Sequence, residues 1–366
     1  MVVYLIMLSL SLIFTAIGTK IKNRNLSIVM YVLASLPFFI VSAIRYDVGT
    51  DYNYRYVGDF NKIANGLTVD NLEIGFVILI KFSLLFTTNS QWLFVITSAL
   101  ITFFIMFTIF KYSKIPIVSI AIFFFGGFFF QSLNMIRQFL AMSIILFGYK
   151  YLLERKKVPL FLLSLVIAFF IHSSSIVMIV ILLLKNRYIM KPFVILPIIA
   201  VIFLFKDDII RLISIVVENT RFNVYLVGLY AKGEISYFNI ITNLAIYFYM
   251  NLCYKIKKKN GQIVMEDKLF LNIQALATIC MCMTILHMLF ARIAYYFIIF
   301  QIISIPYFIG TTEIREIHIG KKWTKRIICA LILICFILTF SYTNVLNNDN
   351  KPLPYKTIFN KEKEFM

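Results

Sequence analysis

The sequence predicts an all-α, polytopic integral membrane protein with roughly twelve transmembrane helices and further amphipathic or re-entrant helices that face outward. Of its 366 residues, 61% are hydrophobic and only 14% are charged, and the mean hydropathy is +0.88. No soluble fold hides so much apolar surface. Apolar runs such as 2–16, 92–110 and 327–340, with their flanks, approach the roughly 20 residues that cross the hydrocarbon core as a helix. The backbone has to be helical wherever it meets lipid.

Clusters of basic residues recur between the apolar runs and predict the orientation of the chain. Consecutive clusters are separated by enough apolar sequence for an out-and-back pair of helices, so the positive-inside rule places the clusters in the cytoplasm and both termini outside. The net charge of +19 is thereby explained by basic residues that orient the chain in the membrane, so no nucleic-acid partner is expected. The clusters are Lys20, Lys22 and Arg24; Lys111 and Lys114; Arg155, Lys156 and Lys157; Lys185, Arg187 and Lys191; Lys255, Lys257, Lys258 and Lys259; and Lys321, Lys322, Lys325 and Arg326.

The chain is expected to form a single polytopic membrane domain, residues 1–344, followed by a polar extracytoplasmic tail, 345–366, since no internal repeat or flexible linker divides it. Met1 opens directly into the first apolar run, which predicts an uncleaved anchor. The short segment 73–86 carries Lys81 and is interpreted as a re-entrant or half-buried helix, with a full crossing as the alternative. The cysteines lie inside apolar runs, where we expect them to behave as small hydrophobes and not as disulfide partners or metal ligands.

Two polar stretches, 45–72 and 207–234, are predicted to face outward. In the first, Gly49 permits a turn and Asp51 is placed to cap the next helix, in which Arg55 follows at the i+4 position. The second stretch opens with an amphipathic helix that we expect at the membrane interface. The predicted substrate contacts of the two stretches are Tyr52, Arg55, Arg211 and Arg221, and Asn134 and Gln138, which lie between the two stretches in sequence, are predicted to bind substrate with them.

Arg137 lies at the predicted outer start of a helix that ends near the cytoplasmic Arg155 cluster. Asn134 is placed to cap that helix, and Gln138 shares a helix face with Arg137. A helix N-terminus together with a guanidinium group forms a site for an anion such as phosphate. An arginine that reaches to lipid headgroups is the alternative. That alternative gives no reason for the neighbouring Asn and Gln side chains.

His172 stands at a polar break, residues 172–175, in a short apolar run. Such a break is tolerated at membrane depth only where it lines protein or a watery cavity. The imidazole of histidine exchanges protons near neutral pH, so His172 is a candidate for proton transfer, with a buried structural histidine as the alternative. His287, near another predicted outer helix end, is the reserve candidate for the same role.

Arg292 falls between two apolar runs, where a charge is costly unless it faces a cavity, a partner or the interface. We expect it to act with Arg137 as a clamp for pyrophosphate, with headgroup contact as the alternative. Asp47 and Asp51 lie closest to the arginine-rich, turn-containing motif and are candidate general bases or acceptor-orienting carboxylates. Tyr52 is a candidate to stack on a sugar face, although a half-buried aromatic stripe is the usual explanation.

Taken together, these motifs resemble the EpsG family of bacterial membrane proteins, relatives in role of the Wzy-type polysaccharide polymerases. The resemblance runs in the family's order over most of the chain. The residues that carry it are Arg45-Tyr46-Asp47-Val48-Gly49-Thr50-Asp51-Tyr52, Glu73-Ile74-Gly75-Phe76, Asn134-Met135-Ile136-Arg137-Gln138-Phe139-Leu140-Ala141, Phe170-Ile171-His172-Ser173-Ser174, Arg292 with its aromatic neighbours, and Pro354-Tyr355 in the tail.

The resemblance implies a GT-C-like enzyme of the bacterial cytoplasmic membrane that joins undecaprenyl-pyrophosphate-linked oligosaccharide repeat units into exopolysaccharide or capsular polysaccharide on the outer side. It implies Arg45, Arg137 and Arg292 as pyrophosphate ligands and His172 or Asp51 as the base. The implied partners are the lipid-linked substrates, the bilayer, and the flippase and chain-length regulators of the same pathway. The outward loops contain no Asp-x-Asp motif, so neither a divalent metal nor another cofactor is expected.

Three other functions compete with this interpretation. A flippase or transporter for lipid-linked sugars predicts charges at mid-membrane depth and inverted repeats, whereas the polar residues here concentrate at one face. A glycosyltransferase that adds one sugar from a lipid monophosphate donor would make short products in place of a ladder. A membrane acyltransferase is supported only by a histidine near the membrane.

Overall fold

The computed structural model of the protein describes residues 1–70, 72–217, 237–313 and 321–359. The α-helices before residue 172 are α1 (Val2–Lys20), α2 (Arg24–Ala43), α3 (Gly58–Ala64), α4 (Ile74–Leu84), α5 (Gln91–Tyr112), α6 (Pro116–Phe125), α7 (Phe128–Asn134), α8 (Ile136–Leu153) and α9 (Val158–Ile171). Those after it are α10 (Val180–Leu184), α11 (Pro192–Leu204), α12 (Lys206–Val217), α13 (Tyr237–Lys259), α14 (Met265–Cys282), α15 (Leu289–Ile298), α16 (Gln301–Thr311) and α17 (Lys321–Phe340). Turns of 3-10 or π-helix lie at Tyr52–Val57, Arg155–Lys157, Ser173–Ile179, Met283–Ile285 and Ser341–Leu346. The described residues form no strand beyond one isolated bridge.

The fold is that of an all-helical, multi-pass membrane protein. Within the described ranges, six helices are long and apolar enough to cross a membrane, and the bent pairs α6–α7 and α15–α16 raise the number to eight if each is one span. The helices between them are shorter or more polar, so the twelve-span count stays a prediction. The 11 residues of α4 extend about 16 Å at 1.5 Å per residue, well short of the roughly 30 Å core, which agrees with a half-buried helix at 73–86.

The chain divides into two compact units. Unit 1 comprises residues 1–176, 305–311 and 318–366, and unit 2 comprises residues 177–304 and 312–317. The expectation of a single membrane domain over 1–344 with a separate tail stays a prediction. Every candidate residue up to His172 belongs to unit 1, and Arg211 and Arg292 belong to unit 2.

Helices packed side by side form the frame of unit 1. Helices α1 and α2 pack against each other, α2 packs against α5, α5 against α8, and α8 against α9. Asn23, in the three-residue connection 21–23, caps α2 by accepting hydrogen bonds from two backbone N–H groups at 3.0 and 3.3 Å. Because the direction of the chain alternates, the basic clusters 20–24, 111–114 and 155–157 fall at one end of these helices. The ends that carry Arg45, Arg137 and His172 fall at the other.

A glycine pair causes the bend between α6 and α7. The two helices meet at 51°, and Gly127 adopts a φ of +76°, a conformation that only glycine enters without strain. A Cβ on Gly126 would lie 2.5 Å from the carbonyl oxygen of Ile122. The bend brings the end of α7, at Asn134, to the candidate site.

Buried polar side chains join the helices of unit 2. The Gln301 amide donates hydrogen bonds to Asn243 at 2.8 Å and to Gln274 at 3.0 Å, and each of these side chains is at most 5% exposed. Lys257, predicted to be one of the basic residues of a cytoplasmic cluster, is instead 3% exposed and forms a buried ion pair with Asp267. Because its ammonium is neutralised inside the protein, Lys257 contributes little to the orientation of the chain.

Candidate functional site

A carboxylate joins two of the predicted site residues of unit 1, Arg137 and His172. Glu73 Oε2 lies 2.5 Å from Arg137 NH1, and Glu73 Oε1 lies 2.9 Å from His172 Nδ1. Oε1 also accepts the backbone N–H of Ser173 at 3.2 Å. Both oxygens of one carboxylate therefore hold Arg137 and His172, two residues separated by a whole helical hairpin, in one cluster.

A close approach of two backbones places Glu73 next to His172. Glu73 occupies the N-cap position of α4, and α9 ends at Ile171, with His172 extended beyond it. A Cβ on Gly75 would lie 2.6 Å from the carbonyl oxygen of Phe170, so only glycine allows the first turn of α4 to lie this near the end of α9. The Glu73-Ile74-Gly75 sequence thus positions the carboxylate.

The cluster is partly shielded from solvent but accessible. The side chains of Arg137, Glu73 and His172 are 13%, 16% and 21% exposed. The Arg137 guanidinium carbon lies 5.9 Å from the centroid of the Phe76 ring, which supports one face of the group. Arg137 occupies the first turn of α8, where backbone N–H groups and the helix dipole favour an anion. The arrangement can therefore bind a phosphate group.

Glu73 is ionised at physiological pH. Burial alone would raise the pKa of this carboxyl, but the hydrogen bond with His172 and the charge of Arg137 outweigh burial and lower the pKa from 4.5 to about 2. A carboxylate with so low a pKa is a poor general base. As an ionised carboxylate only accepts hydrogen bonds, the proton of a neutral His172 sits on Nδ1. The lone pair of Nε2 is then left to accept a proton.

Asn134 fastens a neighbouring turn and does not cap α8. The residue before α8 makes no side-chain cap, which contradicts the predicted capping role. The Asn134 side-chain oxygen instead accepts hydrogen bonds from the Thr50 hydroxyl at 2.8 Å and from the Asp51 backbone N–H at 2.9 Å. Asp51 lies at the predicted cap position but forms no side-chain cap either. The turn before Asp51 thus binds the Asn134 side chain that was predicted to cap α8.

The phenol of Tyr56 holds the break between α7 and α8. Its hydroxyl donates to the carbonyl oxygen of Asn134 at 2.9 Å and accepts the backbone N–H of Ile136 at 2.8 Å. Burial raises the pKa of this phenol to about 12, so it stays protonated and keeps both bonds. The start of α8, and with it Arg137, is fixed by this side chain.

Arg45, predicted to bind pyrophosphate, is buried in protein. It is 1% exposed, and its guanidinium donates to the carbonyl oxygens of Ser42 at 2.6 Å and Leu133 at 3.2 Å. It also lies 4.8 Å from the centroid of the Phe94 ring. Burial lowers the pKa of Arg45 to about 10, so the group remains charged at neutral pH. This environment favours a structural role, because no surface of the group is open to a ligand.

Three other predicted ligands, Tyr52 and Arg55 of the first outward stretch and Gln138 of α8, also have defined surroundings within the protein. Tyr52 is 3% exposed and stacks on Phe94 with ring centroids 4.3 Å apart, so in this structure its face is not open to a sugar. Gln138 is 4% exposed. Arg55 forms the expected i, i+4 ion pair with Asp59 at 3.8 Å and is 39% exposed.

The chain's C-terminal segment lies against the same end of unit 1. Residues 352–358 run beside the end of α2: the Tyr46 N–H donates to the carbonyl oxygen of Lys356, and the Ile358 N–H donates to that of Ile44, both at 3.0 Å. The Tyr4 hydroxyl donates to the Pro352 carbonyl oxygen at 2.9 Å. Within the described residues, the predicted polar tail therefore contacts the bundle as far as Ile358.

Two of the remaining predicted arginines belong to unit 2. Arg292 lies on α15 and is exposed, and Arg211 lies on α12, both in unit 2. Arg221 falls outside the described residues.

Asp47 adopts a φ of 51° and accepts a hydrogen bond from Asn53, and its second oxygen lies 4.0 Å from Lys356 Nζ. Asp47 is thus engaged in holding the loop and the C-terminal segment.

Comparison with known proteins bears directly on this arrangement. The model of the EpsG family matches residues 28–357, nearly the whole chain and every motif of the cluster. The chain belongs to the EpsG family. EpsG is a Wzy-like polysaccharide polymerase family, so membership indicates a polysaccharide polymerase of a bacterial membrane. No curated protein and no solved structure matches the chain.

Glu73 is the EpsG residue that the sequence predictions omitted from the site. It enters the sequence predictions only within the Glu73-Ile74-Gly75-Phe76 motif, because α4 is short and its position against α9 cannot be read from spacing. The signal that could have found it is the pairing of Glu73 with Gly75. A glycine two residues after an acid, at the start of an apolar helix, indicates a close backbone approach in which the acid is aimed at a neighbour.

Proposed function

We propose that this EpsG-family protein joins undecaprenyl-pyrophosphate-linked oligosaccharide repeat units into exopolysaccharide or capsular polysaccharide on the outer side of the cytoplasmic membrane. The observation that carries the proposal is the Glu73 carboxylate, which contacts both Arg137 and His172. A cation for a leaving anion and a base for an incoming hydroxyl are the two groups that this glycosyl transfer requires.

His172 is the proposed general base. In the transfer, a hydroxyl oxygen of the acceptor repeat unit attacks the anomeric carbon of the donor, and the hydroxyl proton passes to His172 Nε2. Glu73 is a positioning residue in this step: its bond to Nδ1 fixes the tautomer and stabilises the imidazolium that forms. Asp51 and Asp47 stay alternatives for the base, although Asp47 is held by Asn53 and Lys356.

Arg137 is the proposed ligand of the leaving group. The bond between the anomeric carbon and the pyrophosphate oxygen breaks, and undecaprenyl pyrophosphate departs with the electron pair. The developing charge would be met by the guanidinium nitrogens that Glu73 does not occupy and by the first turn of α8. Arg292, Arg211, Arg221 and Arg55 stay predicted contacts of the pyrophosphate or the sugars.

The orientation of unit 1 supports action on the outer side. The cluster lies at the end of the helices opposite the basic clusters 20–24, 111–114 and 155–157, and the positive-inside rule assigns those clusters to the cytoplasm. We extend the proposal to a GT-C-like architecture with roughly twelve spans, in which shorter helices complete the count. The flippase and chain-length regulators of the same pathway are the expected partners.

The experiment compares polymer length in cells that carry wild type, Arg137→Ala or Arg155→Ala at matched membrane abundance. Arg155 is an exposed arginine at the opposite end of the same helical hairpin and serves as the control. We expect Arg137→Ala to abolish long chains and to accumulate single lipid-linked repeat units outside. We expect Arg155→Ala to leave the ladder intact.

Other outcomes would exclude the proposal in distinguishable ways. Accumulation of repeat units on the cytoplasmic side would favour a transporter. Products one sugar longer than the acceptor, with no ladder in wild type, would favour a single-sugar transferase. Unchanged chain length in Arg137→Ala would reduce Arg137 to a headgroup contact.

A further inference from the structure

A groove of about 810 Å³ runs between α2 and α5, away from the candidate site. Its walls are mostly apolar and extend along α2 from Arg24 to Phe39. At 1.5 Å per residue this stretch is about 22 Å long, which compares with about 15 Å for the hydrocarbon of one leaflet. The groove therefore has the length and the surface to take the acyl chains of one lipid.

Two cations stand at one end of the groove. Arg24 begins α2 and Lys111 lies in the last turn of α5, and both line the groove and are exposed. Lys111 Nζ lies 4.8 Å from the ring centroid of Phe107, another lining residue, so the ammonium is held at the groove wall. Beside them, Tyr31 and Phe110 stack with ring centroids 4.3 Å apart. Charge is thus concentrated where a lipid headgroup would lie.

The two serine hydroxyls inside the groove do not compete for a ligand. The Ser27 hydroxyl donates to the Gly18 carbonyl oxygen and the Ser35 hydroxyl to that of Tyr31, each at 2.8 Å. Because these donors are satisfied by backbone, they add little polarity to the walls. The cationic end and the apolar length remain as the features that select an occupant.

We propose that this groove binds an anionic glycerophospholipid from the leaflet at the basic end of unit 1, with its phosphate on Arg24 and Lys111 and its acyl chains between α2 and α5. The lipid-linked substrate is not the proposed occupant, because a phosphate at Arg24 lies at the far end of α2 from the Glu73 cluster. The site is independent of the proposed polymerase activity.

The test measures phospholipid binding to the purified full-length protein by native mass spectrometry, with phosphatidylglycerol and phosphatidylethanolamine as probes. We expect wild type to prefer phosphatidylglycerol. The double variant Arg24→Gln/Lys111→Gln should bind it on the order of 30-fold more weakly, which corresponds to about 2 kcal/mol for two basic residues. The control Lys20→Gln/Lys22→Gln removes the same charge from two residues close to Arg24 in sequence that do not line the groove, and it should bind as wild type does.

A second variant tests the walls. Ala99→Trp fills the groove at a position away from the cations, and it should weaken the binding of both lipids. The proposal is overturned if wild type binds the two lipids equally, if the two double variants lose the same affinity, or if neither charge removal nor Ala99→Trp changes binding. Thermal unfolding of each variant confirms that the protein compared is folded.

Discussion

Replacing Glu73 by glutamine removes one negative charge and almost no volume. In the wild-type protein the carboxylate contacts Arg137 at 2.5 Å and His172 at 2.9 Å. A glutamine amide offers one acceptor oxygen and turns a donor toward whichever partner that oxygen does not reach. Glu73→Gln therefore removes the counter-charge of Arg137 and leaves either Arg137 or His172 without a hydrogen-bond acceptor.

The magnitude follows from the pKa of Glu73. Its fall from 4.5 to about 2 corresponds to on the order of 3 kcal/mol in favour of the ionised carboxyl, at about 1.4 kcal/mol per unit. The side chain is only 16% exposed, so solvent weakens these contacts little. We expect Glu73→Gln to lower the free energy of unfolding by up to this amount at pH 7. Loss of an oriented base should lower the rate of glycosyl transfer by about 10²–10⁴.

The stability effect has a defined pH dependence. A carboxyl whose pKa is lower in the folded protein stabilises it above the unfolded pKa of 4.5, and this contribution is lost as the pH falls toward 2. The melting temperatures of wild type and Glu73→Gln in detergent should thus differ at pH 7 and converge as the pH falls toward 2.

A matched control separates this cluster from surface charge in general. Glu154→Gln also removes an ion pair, with Lys157 at 2.7 Å, but both side chains are about half exposed. Such pairs contribute little, so neither its melting temperature nor its activity should change measurably. A Glu73→Gln protein that melts like wild type at pH 7, or that keeps the full transfer rate, would refute the reasoning.

Three further predictions concern how the site is held. Gly75→Ala should lower the free energy of unfolding by about 1–3 kcal/mol, and the transfer rate with it, because the added Cβ meets a backbone carbonyl. The control Gly58→Ala, whose Cβ would have no atom nearer than 3.6 Å, should change neither, and equal melting temperatures of the two variants would contradict this prediction. Arg45→Met should lower the melting temperature but leave the activity of the folded protein unchanged, since the guanidinium donates hydrogen bonds to backbone carbonyls. An unchanged melting temperature with loss of activity would instead support its predicted role as a pyrophosphate ligand. Asn134→Ala should speed tryptic cleavage after Lys356 in the folded protein, because the C-terminal segment loses the hydrogen bond that the Asn134 amide donates to Asn350 at 2.8 Å. Unchanged protection would show that this bond does not hold the segment.

Much of the architecture could be predicted from the sequence because it depends on local composition. Apolar runs of about 20 residues determine α1, α2 and α5, and alternating basic clusters determine which ends lie together. The count of spans was harder to predict, because short helices such as α4 and α11 depend on their neighbours for burial. Spacing cannot distinguish a half-buried helix from a crossing one.

Two residues of the candidate site could be predicted from the sequence, but the contacts between its residues could not. Arg137 and His172 stand out in the sequence because polar groups interrupt apolar runs. Their common partner Glu73 lies 64 residues from Arg137 and 99 from His172, a pairing that only tertiary packing creates. Arg45 was predicted as a ligand for the same reason that Arg137 was, and burial, which the sequence does not reveal, distinguishes the two.

The central claim is that Glu73, Arg137 and His172 act as one unit in glycosyl transfer. The most direct test is the rate of chain elongation by the purified, reconstituted protein on a lipid-linked repeat unit. Rates would be measured for Glu73→Gln, Arg137→Ala and His172→Ala singly and for the triple variant. Residues that act together are not additive, so each single variant should lose nearly as much rate as the triple. Losses that multiply from one variant to the next, or a triple variant that still makes long chains, would contradict the account.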